Sequence, residues 1–215
     1  MELFDENNNS GFMKEFEELL NIADRLLGPG GCSWDQEQTL LTLQPYLLEE
    51  AHELIEAIDQ LSDEKMKEEL GDVLYALIFI GRLGEKEGKF TLKEAIRSVS
   101  EKLIRRHPHV FGEEKVNSND DIIKNWEEIK KKEGKKNPID GIPPTLPSLA
   151  RAQKVIHKLR RAKSPLVLGK SGSRDLGERL WELVKEADEQ GIDAESLLRR
   201  VCQGYEEKFL KSFVS

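Results

Sequence analysis

Between Val73 and Ile80 the chain reads Val-Leu-Tyr-Ala-Leu-Ile-Phe-Ile, its most apolar stretch, inside a longer segment of helical periodicity. Ser62 is placed to cap a helix running from Asp63 to about Lys86. After Glu69 that helix is apolar nearly all round, the pattern of a central element covered on several sides. Such an element demands neighbours with apolar faces of their own. Glu69 and Asp72 stand where the polar first turns give way to the apolar run, so both are expected to face protein rather than open water.

The neighbours also read as helices. Phe12, Phe16, Leu19, Leu20, Ala23, Leu26 and Leu27 recur at helical spacing until Gly28-Pro-Gly-Gly31 stops the run. Cys32-Ser-Trp-Asp-Gln36 reads as a loop, with Trp34 as an apolar plug. A second helix is expected from Thr42 or Pro45 to Leu61, with its stripe at Leu47, Leu48, Ala51, Leu54, Ile55 and Ile58. Thr91 can cap a helix to Arg106, and Asp121 to Lys132 forms another that carries Trp126, either a core aromatic or a stacking surface. Proline and glycine density marks a linker over 137–147 between a domain at 12–136 and a shorter one at 148–215. The latter should hold helices from Ser148 to Arg161, Arg174 to Gln190 and Ala194 to Ser212. The expected fold class is all-α.

Two acidic pairs carry the chemistry. Glu50/Glu53 and Glu69/Asp72 are each three residues apart, so each pair shares one helix face. On neighbouring helices they would form a cup of four carboxylates, and like charges about 4 Å apart repel by about 4 kcal/mol at an effective dielectric near 20. A hard divalent cation relieves that repulsion. A glutamate-rich helix is more often a solvated face, but these acids adjoin buried surface, where acids need partners.

Charge and cysteine usage narrow the class further. The net charge is −8, yet Gly141 to Arg174 holds eight Lys or Arg and no acid, leaving 25 basic against 41 acidic residues elsewhere. Such a block can bind phosphates or lie across the protein's own acidic surface, and no motif for reading RNA or DNA accompanies it. No run approaches the length of about 18–20 apolar residues that spans a membrane, and the acidic N-terminus is unlike a signal peptide, so a cytoplasmic protein is expected. Cys32 and Cys202 are too far apart in sequence to suggest a disulfide framework or zinc site and are expected as buried thiols. Lys102 and Arg106 share a helix face near a C-terminus, where they can complement the dipole or grip phosphate.

Five blocks in order, Cys32-Ser-Trp-Asp-Gln-Glu-Gln-Thr39, Leu48-Glu-Glu-Ala-His-Glu53, Glu68-Glu-Leu-Gly-Asp72, Lys102-Leu-Ile-Arg-Arg-His-Pro-His-Val-Phe111 and Leu146-Pro-Ser-Leu-Ala-Arg-Ala-Gln-Lys154, resemble the MazG nucleoside triphosphate pyrophosphohydrolases. The resemblance spans most of residues 12–160. It implies a helical bundle that dimerises and a Mg²⁺-dependent enzyme, with Mn²⁺ a substitute, that cleaves NTPs or dNTPs to monophosphate and pyrophosphate. Carried over residue by residue, it implies metal ligation by Glu50, Glu53, Glu69 and Asp72, with Glu49 joining Glu50 and Glu53 in catalysis by orienting the attacking water. It further implies that Lys102 and Arg106 hold the triphosphate and that Trp126 lies against the nucleotide. Other readings remain: a non-catalytic helical regulatory or interaction protein, or a pyrophosphohydrolase restricted to one nucleotide.

A trace of a second copy is visible at an offset of 106, pairing Glu69-Leu-Gly-Asp72 with Asp175-Leu-Gly-Glu178 and Glu101-Lys-Leu103 with Glu207-Lys-Phe209. The segment before Asp175 supplies no partner for the acidic pair, and Arg106 is answered by Ser212. Residues 148–215 are therefore expected to be a shortened, inactive copy.

Overall fold

The computed structural model describes residues 6–134, 137, 139–167, 172 and 174–212. Among them there is no strand; the elements are helices α1 (Glu6–Leu27), α2 (Ser33–Glu37), α3 (Leu43–Asp59), α4 (Asp63–Lys86), α5 (Leu92–Arg106), α6 (Pro108–Phe111), α7 (Asn119–Lys132), α8 (Ser148–Arg161), α9 (Leu176–Glu189) and α10 (Ala194–Lys211), with a 3₁₀ turn at Pro165–Val167. The all-α expectation holds. The chain forms two compact units, one ending at Glu114 and the other beginning at Lys115, so α7 belongs to the second.

In the first unit α3 and α4 form an antiparallel hairpin whose turn is very short. Gln60 is the C-cap of α3, Leu61 adopts a left-handed conformation (φ 53°), and Ser62 is already the N-cap of α4. The Ser62 amide donates to the Ala57 carbonyl (3.2 Å) and the Leu61 amide to the Ile58 carbonyl (3.1 Å), the double bond pattern that closes a helix C-terminus. The Ser62 hydroxyl then accepts from the Lys65 amide. One short segment thus ends one helix and starts the next, which fixes their relative register.

Around this hairpin Leu43, Phe79 and Leu83 form a buried core flanked by Leu27, Leu40, Tyr75 and Ile80. Arg82 ties α4 to α1 through Asp24 (2.8 Å) and also pairs with Glu85 (2.8 Å). The other Glu85 oxygen accepts from the Leu92 amide (2.9 Å), joining α4 to the start of α5. Close approach there depends on glycine: a Cβ on Gly84 would lie 2.6 Å from the Phe90 ring, and one on Gly81 would lie 3.1 Å from Leu92. Thr91 and Glu94 close a reciprocal capping box on α5.

Burial of the central helix is less complete than its sequence suggests. Ile78 and Phe79 are buried, but Leu77 is 48% exposed and Leu70 59% exposed. Asp72 is also exposed, contrary to expectation, while Glu69 is half-buried. Trp34 does not plug a loop: it sits on α2, half-exposed, with its ring edge-on to Tyr46 (centroids 5.5 Å apart). The structural work of the leading block falls to its polar residues. Gln36 donates to the Gly28 carbonyl (2.6 Å), and Thr42 donates to Gln38 (2.7 Å) while accepting from the Thr39 amide (2.9 Å), steering the chain into α3. Cys32 is half-buried and Cys202 exposed, so the expected buried thiol at 202 is not found; both are free cysteines.

The second unit packs α8, α9 and α10 around Ile156, Val167, Val184, Ala187 and Ala194, with Trp181 and Leu159 against them. Gln153 bridges α8 to the start of α10, donating to the Ile192 carbonyl (2.7 Å) and accepting from the Ala194 amide (2.8 Å). Part of the basic block lies against the unit's own acids: Arg160 contacts Asp188 and Glu189, and Arg161 contacts Glu127. Asp175, the counterpart of Glu69 in the internal match, is the N-cap of α9 and accepts from the Glu178 amide (3.0 Å).

Candidate functional site

The hairpin determines which acids meet. Glu50 precedes Leu61 by eleven residues and Asp72 follows it by eleven; Glu53 and Glu69 are each eight away. In an antiparallel pair with a common rise per residue, equal distances from the turn place residues at one level. One carboxylate oxygen from each of Glu50, Glu69 and Asp72 lies within 4.8 Å of the others, and this is the one such acidic group among the described residues. Glu53 is exposed and falls outside the three, yet its charge is felt by both Glu50 and Glu69.

The acids of the cluster push one another's carboxyl groups up. Burial pushes the Glu50 carboxyl above its ordinary range, and the charges of Asp72, Glu53, Glu69 and Glu49 push it in the same direction. Glu69 is raised by loss of hydration and then by Glu53, Glu68 and Asp72, with only Lys65 opposing. Lys65 itself donates to Gln60 (3.1 Å) rather than to a carboxylate of the cluster. The donor set fits a hard divalent ion: octahedral Mg²⁺ at about 2.0–2.1 Å holds its oxygens about 3–4 Å apart, so a small contraction of these three side chains encloses it. The ligating residues would be Glu50, Glu69 and Asp72, with Glu53 one turn from Glu50 on α3.

Glu49 is exposed beside Glu50. Lys102 and Arg106 are half-buried on one face of α5, near the helix end where the dipole is negative. Trp126 is half-buried in the second unit, on α7, with the Lys130 ammonium 5.3 Å from its ring centroid. The short helix α6, starting at Pro108, was not expected; Pro at its first position and the Gly112 amide bonding to the Pro108 carbonyl (3.0 Å) account for it.

An all-α bundle whose helical hairpin gathers carboxylates from both arms has the donor set of a metal-dependent hydrolase. Residues 38–111 match the MazG nucleotide pyrophosphohydrolase domain, which takes in both acidic pairs together with Lys102 and Arg106. The nucleoside triphosphate pyrophosphohydrolase/pyrophosphatase MazG of Thermotoga maritima is 39% identical over 91% of this chain and 84% of its own length. The nucleoside triphosphate pyrophosphohydrolase of Escherichia coli K12 is 30% identical over 92% and 86%. The crystal structure of a mazG-related protein from Thermotoga maritima aligns with 54% of this chain and 98% of its own, at 34% identity and a TM-score of 0.48. The chain belongs to the MazG family.

Proposed function

We propose that this protein hydrolyses nucleoside triphosphates, NTPs or dNTPs, to the monophosphate and pyrophosphate, using Mg²⁺ held by Glu50, Glu69, Asp72 and Glu53. The observation that carries this reading is the carboxylate cluster itself, three oxygens within 4.8 Å on two arms of one hairpin. A divalent ion in such a cluster offsets phosphate charge and makes water a better nucleophile near neutral pH. Glu49, exposed beside Glu50, orients the water that attacks the α-phosphorus and accepts its proton. The bond from that phosphorus to the bridging oxygen breaks, and pyrophosphate leaves with the bonding pair. Lys102 and Arg106 hold the phosphate chain, which an acidic protein needs cations to attract.

The protein is proposed to act as a homodimer. Leu70 and Leu77 are seven residues apart on α4, and Ile96, Val99 and Leu103 follow helical spacing on α5; all are at least 41% exposed. Apolar residues so aligned make a surface that a second copy would cover. Free cysteines suit a reducing compartment, in keeping with cytoplasmic nucleotide pools. No described helix is long and apolar enough to cross a membrane. Residues 148–215 are read as a shortened copy without turnover, its counterpart acid Asp175 being engaged as a helix cap.

The test is pyrophosphate release from a panel of NTPs and dNTPs with Mg²⁺ or Mn²⁺. The wild type should turn over, and Glu69→Gln should lose at least about 100-fold in kcat/KM, more than the roughly 10–100-fold typical of changing a residue that only supports a metal ligand. Equal activity in both proteins contradicts the site; turnover of one nucleotide alone establishes the restricted reading.

A further inference from the structure

One helical turn from the carboxylate cluster, the first unit leaves two aromatic rings in water. Trp34 on α2 is 49% exposed and Tyr46 on α3 is 40% exposed. Their planes meet at 85° with centroids 5.5 Å apart, the edge-to-face contact that aromatic pairs favour. Each ring thus helps to hold the other, while about half of the indole stays open. Side chains of this size gain by being covered.

The hairpin register ties the pair to the cluster. Tyr46 precedes Glu50 by four residues on α3, so the two share a face and stand about 6 Å apart along the axis. Asp35, next to Trp34, is buried. Burial raises the Tyr75 phenol above its ordinary value, and the charges of Asp35 and Cys32 add to that effect. Tyr75 follows Asp72 by three residues on α4 and flanks the core of Leu43, Phe79 and Leu83. Tyr46 and Tyr75 stand fifteen and fourteen residues from Leu61, the level next beyond Glu50 and Asp72. At that level the leading block therefore meets both arms, through Trp34 the arm of Glu50 and through Asp35 the arm of Asp72.

We propose that Trp34 and Tyr46 form the wall on which the base of the nucleotide stacks while its triphosphate is held at the carboxylate cluster. The inference rests on the reading of that cluster as the metal and triphosphate site, and adds what holds the nucleoside end. A step of about 6 Å from Glu50 to Tyr46 is on the scale of the sugar that separates the α-phosphate from the base. Stacking on an aromatic face tolerates base identity, because every base has a π-face. This wall therefore separates nucleotides from base-free polyphosphates, and it accepts purines and pyrimidines alike.

The test is calorimetric titration of the full chain in Mg²⁺ with the α,β-methylene analogues of ATP and CTP and with inorganic tripolyphosphate. Trp34→Ala should weaken both analogues at least about fivefold, the lower end for losing one base–aromatic stack. Its affinity for tripolyphosphate should stay within about twofold of wild type, a selectivity that general damage to the site would not produce. Trp34→Phe should restore nucleotide binding to within about threefold, since a flat ring remains. Tyr46→Leu, with an unchanged circular dichroism spectrum, should weaken the analogues in the same direction and spare tripolyphosphate. Analogue binding that ignores both substitutions overturns the proposal. So does a parallel loss for tripolyphosphate, or a loss of self-association in light scattering with nucleotide affinity unchanged. Pyrophosphate release from ATP and CTP is measured separately. A wild type that binds in the expected pattern without releasing pyrophosphate supports the wall and contradicts the hydrolytic reading alone.

Discussion

Glu50 and Asp72 stand eleven residues on either side of Leu61, and the hairpin brings their carboxylates within 4.8 Å of each other. The register that joins them comes from a turn in which Leu61 takes a backbone conformation suited to glycine. A β-carbon in the left-handed region costs about 1 kcal/mol, and the Leu61 side chain is 83% exposed, offering little burial in return. Leu61→Gly should therefore raise stability by about 1 kcal/mol, measured by urea denaturation, and leave turnover unchanged.

The capping box on α5 links stability to pH. Hydrogen bonds from the Thr91 amide and hydroxyl hold the Glu94 carboxyl below its ordinary value. A depressed carboxyl contributes stability that is present above the unfolded-state pKa and is lost as pH falls through the folded one. Thr91→Ala should cost about 1 kcal/mol at neutral pH, and Glu94→Gln should flatten the acid limb of the stability curve. An acid limb identical to wild type in Glu94→Gln contradicts the assignment.

The metal site has the opposite sign. Glu50 and Glu69 are raised, so their contribution in the ion-free protein is fully favourable only below the unfolded-state value and is lost as pH rises through the folded values. In EDTA, Glu50→Gln should melt at or above the wild-type temperature at pH 7 and lose that advantage as pH falls. With Mg²⁺ the order should reverse, because an ion present at 100 times its Kd adds about 2.7 kcal/mol to the wild type alone. Calorimetric melts with and without the ion decide it.

Much of the first unit was legible because its signals are local. Ser62 and Thr91 are capping residues followed by helical periodicity, and α4 begins and α5 ends where those signals place them. The acidic pairs were legible for the same reason, and the three-residue connection Gln60 to Ser62 brings Glu50, Glu69 and Asp72 together, with Glu53 outside the group. Burial was less legible, because it depends on which surfaces meet. Asp72 and Leu77 are exposed although their sequence surroundings are apolar, and Trp34, read as an apolar plug, is exposed on α2. Cys202 is exposed with its neighbours Leu198 and Val201, on a part of α10 that apolar composition alone assigns to a core. The ion pairs of Arg160 and Arg161 with acids distant in sequence were foreshadowed only as a charge balance.

Two glycines of α4 separate packing within the chain from packing against a second copy. Gly84→Ala should destabilise the protein by about 1–3 kcal/mol because its Cβ would meet the Phe90 ring at 2.6 Å. A Cβ on Gly71 meets nothing within 4 Å in this chain, so Gly71→Ala should stabilise an isolated monomer by about 0.5–1 kcal/mol. The proposed dimer predicts instead that Gly71→Ala weakens association, measured by light scattering over a dilution series. Unchanged association together with higher stability would remove α4 from the interface.

The central claim is that the acids of one helical hairpin share a divalent ion. Anomalous diffraction from crystals grown with Mn²⁺ and a non-hydrolysable triphosphate tests it directly. The account predicts a peak at bonding distance from the carboxylate oxygens of Glu50, Glu69 and Asp72, and its disappearance in Glu69→Gln. A nucleotide bound with its metal elsewhere, and these three side chains turned to solvent, would contradict it.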